Sequence, residues 1–560
     1  MKKNKLFLSI FLFLLISSFF PAYSQVLNDS QILKPGNWIY DAMQDLSTES
    51  RKTIFLDTQP ISVGELKFYL SKIDYDLLSE SGKSLYSKVQ KFLYTSNSIR
   101  FPNDSATKFA LNAIVTPELY LKTNKKISST IGQFFVDYPF TLPIMAGFSE
   151  NVAFQFDYFY GKNRDGYLKP DSITNIPLST EETEYEYPRY AYGNIANNFG
   201  NWGFSATLGK EGFSIGNSEL GSIIYNSTFE TDFYSVLSAY SENIKYNLIL
   251  SQVDSSRFLY LHNFNMKLLP NLKFSITEGG LRNGPFQLRY LNPMMILHAF
   301  YSANDFMTDK KTKLSGYCSY MGVTLEYQPI KNLRLYAIYA QNELQAGTEL
   351  NTEYGKSLPD SVGLQTGFDY LIPHKENKYF KINIESLYNT PFLYLKQSPD
   401  MSLIKYEKVF NEDTKYVNYI GSPLGSDVFA LNFSLNYKNP QKWSIGFNNL
   451  FTIKGEINEN TVFITQPTDD SMPYYYPSVI WVLGSPEEKE NAIALARSKK
   501  LTGILQYRND ISLFYEYFFN DKLKFVTEGT YCFIFNNKNI LNDFQQGFEF
   551  KFALSYSFLK

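Results

Sequence analysis

Phe548-Glu549-Phe550-Lys551-Phe552-Ala553-Leu554-Ser555-Tyr556-Ser557-Phe558, close to the end of a 560-residue chain, alternates without a fault. Successive side chains of a strand point to opposite faces, so the stretch reads as one strand with an oily side and a wet side. The same pattern recurs upstream. Phe380, Ile382, Ile384 and Tyr388 oppose Lys381, Asn383 and Glu385; Phe429, Leu431, Phe433, Leu435 and Tyr437 oppose Ala430, Asn432, Ser434 and Asn436. Val152, Phe154, Phe156, Tyr158 and Tyr160 oppose Ala153, Gln155 and Asp157. A Lys or Glu aimed at lipid near the bilayer midplane costs on the order of 2–4 kcal/mol, so the polar set is expected to face a watery or protein-filled lumen. In Trp443 to Ile453 the phase slips around Asn448-Asn449, which predicts a bulge.

The connections sort into two kinds. Short ones fall at Asn520-Asp521, Asn439-Pro440-Gln441, Pro373 to Lys378, Pro329 to Asn332, Pro270-Asn271, Asp254 to Arg257 and Ser241 to Asn243, rich in turn formers. Long ones run from Arg282 to Tyr317, Leu344 to Ser361, Thr390 to Ser426, Lys454 to Lys500 and Asn536 to Gln545. Short and long alternate, as in bacterial barrels with periplasmic turns and extracellular loops; Asp254 to Arg257 alone is short where parity makes it an outside turn. Counting by this parity from Leu111 to Phe558 predicts an all-β fold, a transmembrane antiparallel barrel of about 18 strands, an even number as closure requires. A soluble β-sandwich also alternates, but it would bury its aromatic face against a second sheet and has no need of this loop pattern.

The first residues suit export into an outer membrane. Lys2, Lys3 and Lys5 form a basic start, Leu6 to Phe20 is almost wholly apolar, and Ala22-Tyr23-Ser24 offers small residues where a signal peptidase reads. Residues 1–24 are thus expected to be a signal peptide; an uncleaved anchor is the alternative, although the apolar run is short for one. No Cys follows the cleavage site, so the chain is not a lipoprotein. Loss of residues 1–24, with three lysines and no acid, leaves 50 basic against 55 acidic residues, a formal charge of −5. That charge predicts no nucleic-acid partner. No later stretch reaches the roughly 18–20 apolar residues of a spanning helix, so a membrane would be crossed by strands. The 17% aromatic content, with 44 Tyr and 48 Phe, suits girdles at two interfaces. Cys318 and Cys532 read as apolar strand positions, with a disulfide after export as the other reading.

Two regions are not barrel. Ile61-Ser62-Val63-Gly64-Glu65-Leu66 is a helix start with Ser62 as cap and Glu65 as capping-box partner, and Leu85, Val89, Phe92 and Leu93 recur at helical spacing within Gly82 to Tyr94. Residues 25–108 are therefore expected to be an N-terminal periplasmic segment with short helices, a plug or cap or else a partner-binding region, ahead of a barrel over 109–560. In the longest loop, Ser485-Pro486-Glu487-Glu488 opens another helix ending near Lys499 and Lys500, which suggests loop plugging of the mouth.

Catalytic signatures are sparse. Of His262, His298 and His374 only His298, in a loop, is placed to serve a hydrolase, and no Gly-x-Ser-x-Gly elbow or HExxH accompanies it. No spacing suggests a metal or cofactor site. The expectation is a non-enzyme that works through recognition. Tyr474, Tyr475, Tyr476 and Trp481 in one loop, and Tyr301 in the aromatic run near His298, are surfaces on which sugar rings stack, with Asp469, Asp470 and Asn304 near enough to bond hydroxyls; girdle or packing roles are the alternative.

The stretch Gly279-Gly280-Leu281-Arg282-Asn283-Gly284-Pro285-Phe286-Gln287-Leu288-Arg289-Tyr290-Leu291-Asn292-Pro293, followed by an aromatic segment from Met294 to Tyr301, resembles the central motif of the Wzi family of capsule-assembly outer-membrane proteins. The layout of signal peptide, helical region and barrel agrees over nearly the whole chain. The resemblance implies a non-enzymatic lectin that holds surface polysaccharide, its lumen closed by helices and loops, with Gly284, Arg289, Tyr290, Leu291, Asn292 and Pro293 as motif positions. The expected partners are outer-membrane lipid, surface polysaccharide and, during biogenesis, the barrel-assembly machinery. Read from the residues alone, Arg282 and Arg289 at a barrel mouth would pair with internal carboxylates or engage acidic sugars. The rival function is a solute-conducting channel lined by Lys381, Glu385, Glu549 and Lys551.

Overall fold

The structure is a computed structural model that describes residues 26–558 apart from 96–98, 102–103, 128, 131, 137, 164–171, 186–189, 211, 294–316, 345–359, 376, 397–398, 409–414, 441, 459–464, 467–473 and 476–497. Among the described residues the wall is a closed antiparallel barrel of 18 strands. Its first strand is broken into Asp104–Leu111, Ile114–Val115 and Glu118–Lys122, and its last is Phe544–Ser557. The two meet to close the ring, Phe550 opposite Leu121 and Tyr556 opposite Val115. Ile99–Phe101 joins the same sheet, Ile99 opposite Phe109.

Alternation decides which way each strand faces. Phe548 is 47% exposed on the outside of the barrel while its neighbour Glu549 is 3% exposed within it. Phe550, Leu554 and Tyr556 are likewise exposed, and Lys551 and Ala553 buried. The outer belt is therefore apolar, as a lipid-spanning barrel requires, and the inward polar residues meet protein instead of water. The turns fall where Pro and Asn placed them. Pro270-Asn271 links Arg257–Leu269 to Leu272–Asn283, and Phe519 to Lys522 links Gln506–Phe518 to Leu523–Phe535.

The expected bulge in Trp443–Lys454 is absent: that strand pairs in unbroken register with both neighbours, Asn448 opposite Ser434 and Asn449 opposite Ile511. Asn449 points outward and Leu450 inward, where Leu450 is buried against an apolar interior. The slip in hydrophobic phase thus records a greasy patch inside the barrel. Bulges occur instead at Lys267/Leu269 and Gln341/Glu343.

Three helices precede the wall: α1 (Trp38–Ser50), α2 (Val63–Leu70) and α3 (Glu80–Tyr94). Ser62 caps α2 by accepting from Glu65 N at 3.2 Å. Ser79 caps α3 through Gly82 N, two residues ahead of the expected start, and buries Leu85, Val89 and Leu93 on one face. Asn37 caps α1 by accepting from Ile39 N, and Arg51 ends it in the left-handed region at φ 57°. The helices share one apolar cluster that includes Ile39, Met43, Leu66, Tyr69, Val89 and Leu93.

Candidate functional site: a filled lumen and the wall beside its mouth

The helical region lies inside the short-turn end of the barrel. Inward-facing cations on the wall meet acids on the plug: Lys245 with Glu65 at 2.6 Å, Lys273 with Asp57 at 2.7 Å, and Lys381 with Asp45 at 3.1 Å. Burial pushes the Glu65 carboxyl up from its ordinary value, and Lys245 pulls it back down. Glu65 spends its side chain on this pair, which explains why Ser62 alone caps α2. The C-terminal end of α1 is pinned to two neighbouring turns. Asn332 N donates to Thr48 O at 3.1 Å, Arg51 Nε donates to Gln328 O at 3.1 Å, and Thr53 N donates to Pro270 O at 2.9 Å.

A second set of residues fills the long-loop end. The connection from Phe213 to Thr231 descends into the lumen, and its strand Ser214–Ile215 pairs with Thr58–Gln59 of the plug. Ile223, Ile224, Tyr225 and Phe229 pack there against Leu393, Tyr394 and Leu403 of the loop that follows Lys378–Asn389. The wall supplies Leu259, Leu261, Leu281, Leu387 and Leu450 to the same cluster. Ile223 O accepts from Tyr320 Oη at 3.0 Å and Tyr394 Oη at 2.7 Å, so the wall and the upper loop hold one carbonyl between them.

Arg334 joins the two layers. Its Nε donates to Glu326 at 3.0 Å, one terminal nitrogen donates to Asp369 at 2.7 Å, and the other donates to Asn217 O at 2.8 Å. Gln44 of α1 donates to the same Glu326 at 3.3 Å and accepts from Asn217 Nδ2 at 3.1 Å. Plug, wall and descending loop therefore share one polar knot. The sequence carried its signal in charges on the inward face of strands, matched by acids in the N-terminal region.

The four residues expected to line a channel do face inward, but each is engaged. Lys381 pairs with Asp45; Glu385 accepts from Glu219 N at 2.9 Å, Leu220 N at 3.1 Å and Tyr336 Oη. Tyr120 Oη donates to Glu549, and Lys551 pairs with Glu528 at 3.2 Å. Cys318 and Cys532 are free and buried, Cys318 in the upper apolar cluster and Cys532 beside Ile127 and Ile534. Among the described residues no group of three or more His, Cys, Asp or Glu side chains is gathered to hold a metal ion.

Of the aromatic loop candidates, Tyr474 and Tyr475 form a two-residue strand paired with Thr465–Gln466. Tyr476, Trp481 and Tyr301 lie outside the described residues, as do His298 and the expected helix after Ser485. Lys499 and Lys500 are described and not helical. His262 sits on a strand and His374 at a strand end, 3.1 Å from Tyr437 Oη.

The glycine-rich motif is well described, and it does not stand in the mouth. Gly279 and Gly280 end the strand Leu272–Asn283, and Leu288–Leu291 forms a single 3-10 turn. A Cβ on Gly279 would lie 1.9 Å from Tyr260 O, and one on Gly280 would lie 2.4 Å from Cys318 O, so neither position admits a side chain. Tyr290 is buried with its ring 4.9 Å from Tyr260 and 5.9 Å from Tyr317. Arg289 donates to Gln287 Oε1 at 2.6 Å and to Tyr290 Oη at 3.0 Å, and its guanidinium lies 4.7 Å from the Tyr290 ring. Arg289 is thus held by its own segment. Leu291 packs against the same tyrosine cluster, Asn292 N donates to Arg289 O at 3.2 Å, Pro293 is exposed, and Gly284 N donates to Ser256 O at 2.9 Å. Gly279→Ala is expected to lower stability by about 1–3 kcal/mol through backbone displacement, read as an earlier urea midpoint in detergent; an unchanged midpoint would refute the close approach.

No protein-family model matches the sequence, and no curated protein matches it. Solved structures do. OmpT of Vibrio cholerae aligns at 9% identity over 82% of this chain and 100% of that one, with a TM-score of 0.33. OprD of Pseudomonas aeruginosa aligns at 9% identity over 82% of this chain and 95% of that one, with a TM-score of 0.39. The fold is similar, over 94% of this chain and 98% of that one, to Wzi, an outer-membrane protein involved in group 1 capsule assembly in Escherichia coli and a carbohydrate-binding β-barrel, with a TM-score of 0.54 and 11% identity.

Proposed function

We propose that the chain is a Wzi-like, non-enzymatic protein of a Gram-negative-type outer membrane that binds or anchors capsular or exopolysaccharide at the cell surface. The observation that carries the reading is the lumen. Both ends of it, as described, are occupied by buried side chains, which supports recognition at the long-loop face over passage of solutes. The similarity in fold to a carbohydrate-binding barrel supports the same reading. In it, residues 1–24 are removed on export, residues 25–108 enter from the periplasm, and the barrel-assembly machinery inserts the wall into lipid. Tyr474, Tyr475, Tyr476, Trp481 and Tyr301 are the proposed sugar-stacking residues.

The test is polysaccharide retained on the surface of a deletion strain complemented with variants. Tyr475→Ala with Trp481→Ala is expected to cut retention by about thirtyfold, two lost stacking contacts of roughly 1 kcal/mol each, while the barrel stays heat-modifiable on gels. Full retention by that variant would sink the loop assignment, and full retention by the empty deletion strain would sink the function.

A further inference from the structure

Exposure departs from what register dictates in two places. On the outside, Tyr260 and His262 point away from the lumen, since Leu259, Leu261 and Asn263 beside them point in, yet they are 2% and 3% exposed. The chain leaving the strand at Asn283 folds back over them: Gln287 N donates to Tyr260 Oη at 3.0 Å, and Tyr290 O lies 2.8 Å from His262 Nε2. The glycine-rich motif thus lies on the outer face of the barrel, correcting the expectation that Arg282 and Arg289 stand in its mouth.

The second place is inside, on the arc formed by Val428–Asn439, Trp443–Lys454, Gln506–Phe518 and Leu523–Phe535. On the opposite arc Lys245, Asn263 and Lys273 meet the plug and are buried. Here pairing aligns Asn436, Gly446, Phe514 and Glu528 in one inward row, with Lys381 and Lys551 at its ends. Asn436, Phe514 and Glu528 are only half-buried, as are Asn448 and Ser512 in the row nearer the long loops. The row beyond that, Asn432, Leu450, Asp510 and Cys532, is buried. The space is therefore a blind pocket, roofed toward the long loops and open toward the short turns, where Glu516 and Lys524 are half-buried. Three strand spacings make it about 14 Å wide.

The plug and the descending loop stand across it. Asp41 is exposed one turn before Asp45 on α1, and Glu219, 3.7 Å from Lys381, keeps 41% of its side chain accessible although it lies within the lumen. Charges are in balance: Glu528 pairs with Lys551 at 3.2 Å, Glu516 with Lys524 at 3.0 Å and Glu219 with Lys381, while Lys438 faces inward one row nearer the turns. What is left open is an aromatic ring among amides and hydroxyls. Gly446 lets the Asn436 amide reach toward Phe514, since a Cβ there would lie 2.4 Å from Asn436 Oδ1. Along the roof Asn432 Oδ1 and Ser434 Oγ, both of buried residues, have no hydrogen-bond partner among the described residues.

We propose that this pocket takes a neutral sugar ring from the periplasmic side, stacked on Phe514 with its hydroxyls on Asn436, Asn448 and Glu528. A sugar offers an apolar face to an aromatic ring and an edge of hydroxyls to amides and carboxylates. An ion would find acids and lysines already matched, and an acyl chain would leave Asn432 and Ser434 unpaired. The inference rests on a plug that fills one side of the lumen and is independent of what the loops bind.

The test uses the full mature chain in lauryldimethylamine oxide, with Tyr475→Ala and Trp481→Ala in place so that the proposed loop residues do not supply the signal. Maltotriose, cellotriose and tri-N-acetylchitotriose are the probes, read by saturation-transfer NMR. At least one is expected to bind, about fivefold more weakly in Phe514→Ala and in Asn448→Ala, in protein that remains heat-modifiable. Absence of binding by all three overturns the proposal, and so does binding that ignores both substitutions. Separately, Ser512→Cys is expected to react with a small water-soluble maleimide, and more slowly when the trisaccharide is bound. The unsubstituted chain, with its two buried thiols, sets the background. A thiol as inert as that background, or one that the sugar fails to protect, overturns the pocket. Polysaccharide retention is read in neither arm, so a failure of the loop assignment leaves both unmoved.

Discussion

Planar bilayers holding the wild-type barrel are expected to pass at least roughly tenfold less current than an unplugged barrel of similar strand number, which would leave an aqueous channel. Two layers account for this, each with its own contacts to the wall. At the short-turn end the plug is fastened by buried pairs such as Lys245 with Glu65 and Lys273 with Asp57. At the long-loop end Ile223, Ile224 and Tyr394 seal an apolar core on the inward leucines of the wall. Deleting residues 26–95 alone should therefore leave conductance low, because the upper layer stands on its own contacts with the wall. Deleting residues 213–229 as well should raise it to that of an open pore. Porin-like current through the wild-type protein would revive the channel reading and remove the main support for surface recognition.

Arg334→Ala is expected to cost about 3–5 kcal/mol of stability, the penalty for leaving buried carboxylates without their cation. Glu326 and Asp369 are both buried, and the guanidinium contacts both while bonding Asn217 O of the descending loop. Lys273 stays 3.3 Å from Glu326 but reaches neither Asp369 nor the loop carbonyl by any described bond. Arg334→Lys should recover only part of the loss, since an ammonium cannot span the three acceptors as the planar fork does. Equilibrium unfolding in urea-containing detergent, followed by gel mobility, reads both. A loss below about 1 kcal/mol for Arg334→Ala would mean that water already screens the knot and the layers are not locked together.

The wall was legible because its two solvents differ. Wherever lipid lies on one side and polar groups on the other, as in Phe548 to Phe558, the period of two survives into the sequence. It failed where the inside is greasy. Leu450 faces inward among Ile223 and Leu261, so apolar residues stand on both faces of its strand and the pattern imitates a bulge. The upper layer was invisible for the same reason: Ile223-Ile224-Tyr225 is buried from all sides and shows no periodicity at all. Helix α2 announced itself by its Ser62 cap and α3 by the helical spacing of Leu85, Val89, Phe92 and Leu93. Helix α1 did not stand out, because it is buried around much of its circumference and has no Glu or Gln at the third position after Asn37. The motif from Gly279 to Pro293 was readable as a motif, but nothing local distinguishes a segment inside a barrel from one lying on its outer face. Only the pairing register decides that.

The ring is fastened unevenly. On one flank of Phe544–Ser557 the ladder runs without a gap from Leu523 to Phe535, whereas on the other it holds only at Glu549 to Ala553 and at Tyr556-Ser557. Pairing is interrupted in the same way on the other flank of the first strand, where it holds at Thr107 to Leu111 and at Ile114-Val115. That strand is also the one to which the interior helices are tethered through residues 95–104. Closing the ring at the seam between this strand and the last therefore encloses helices carried on the same stretch of chain as the strand that closes it.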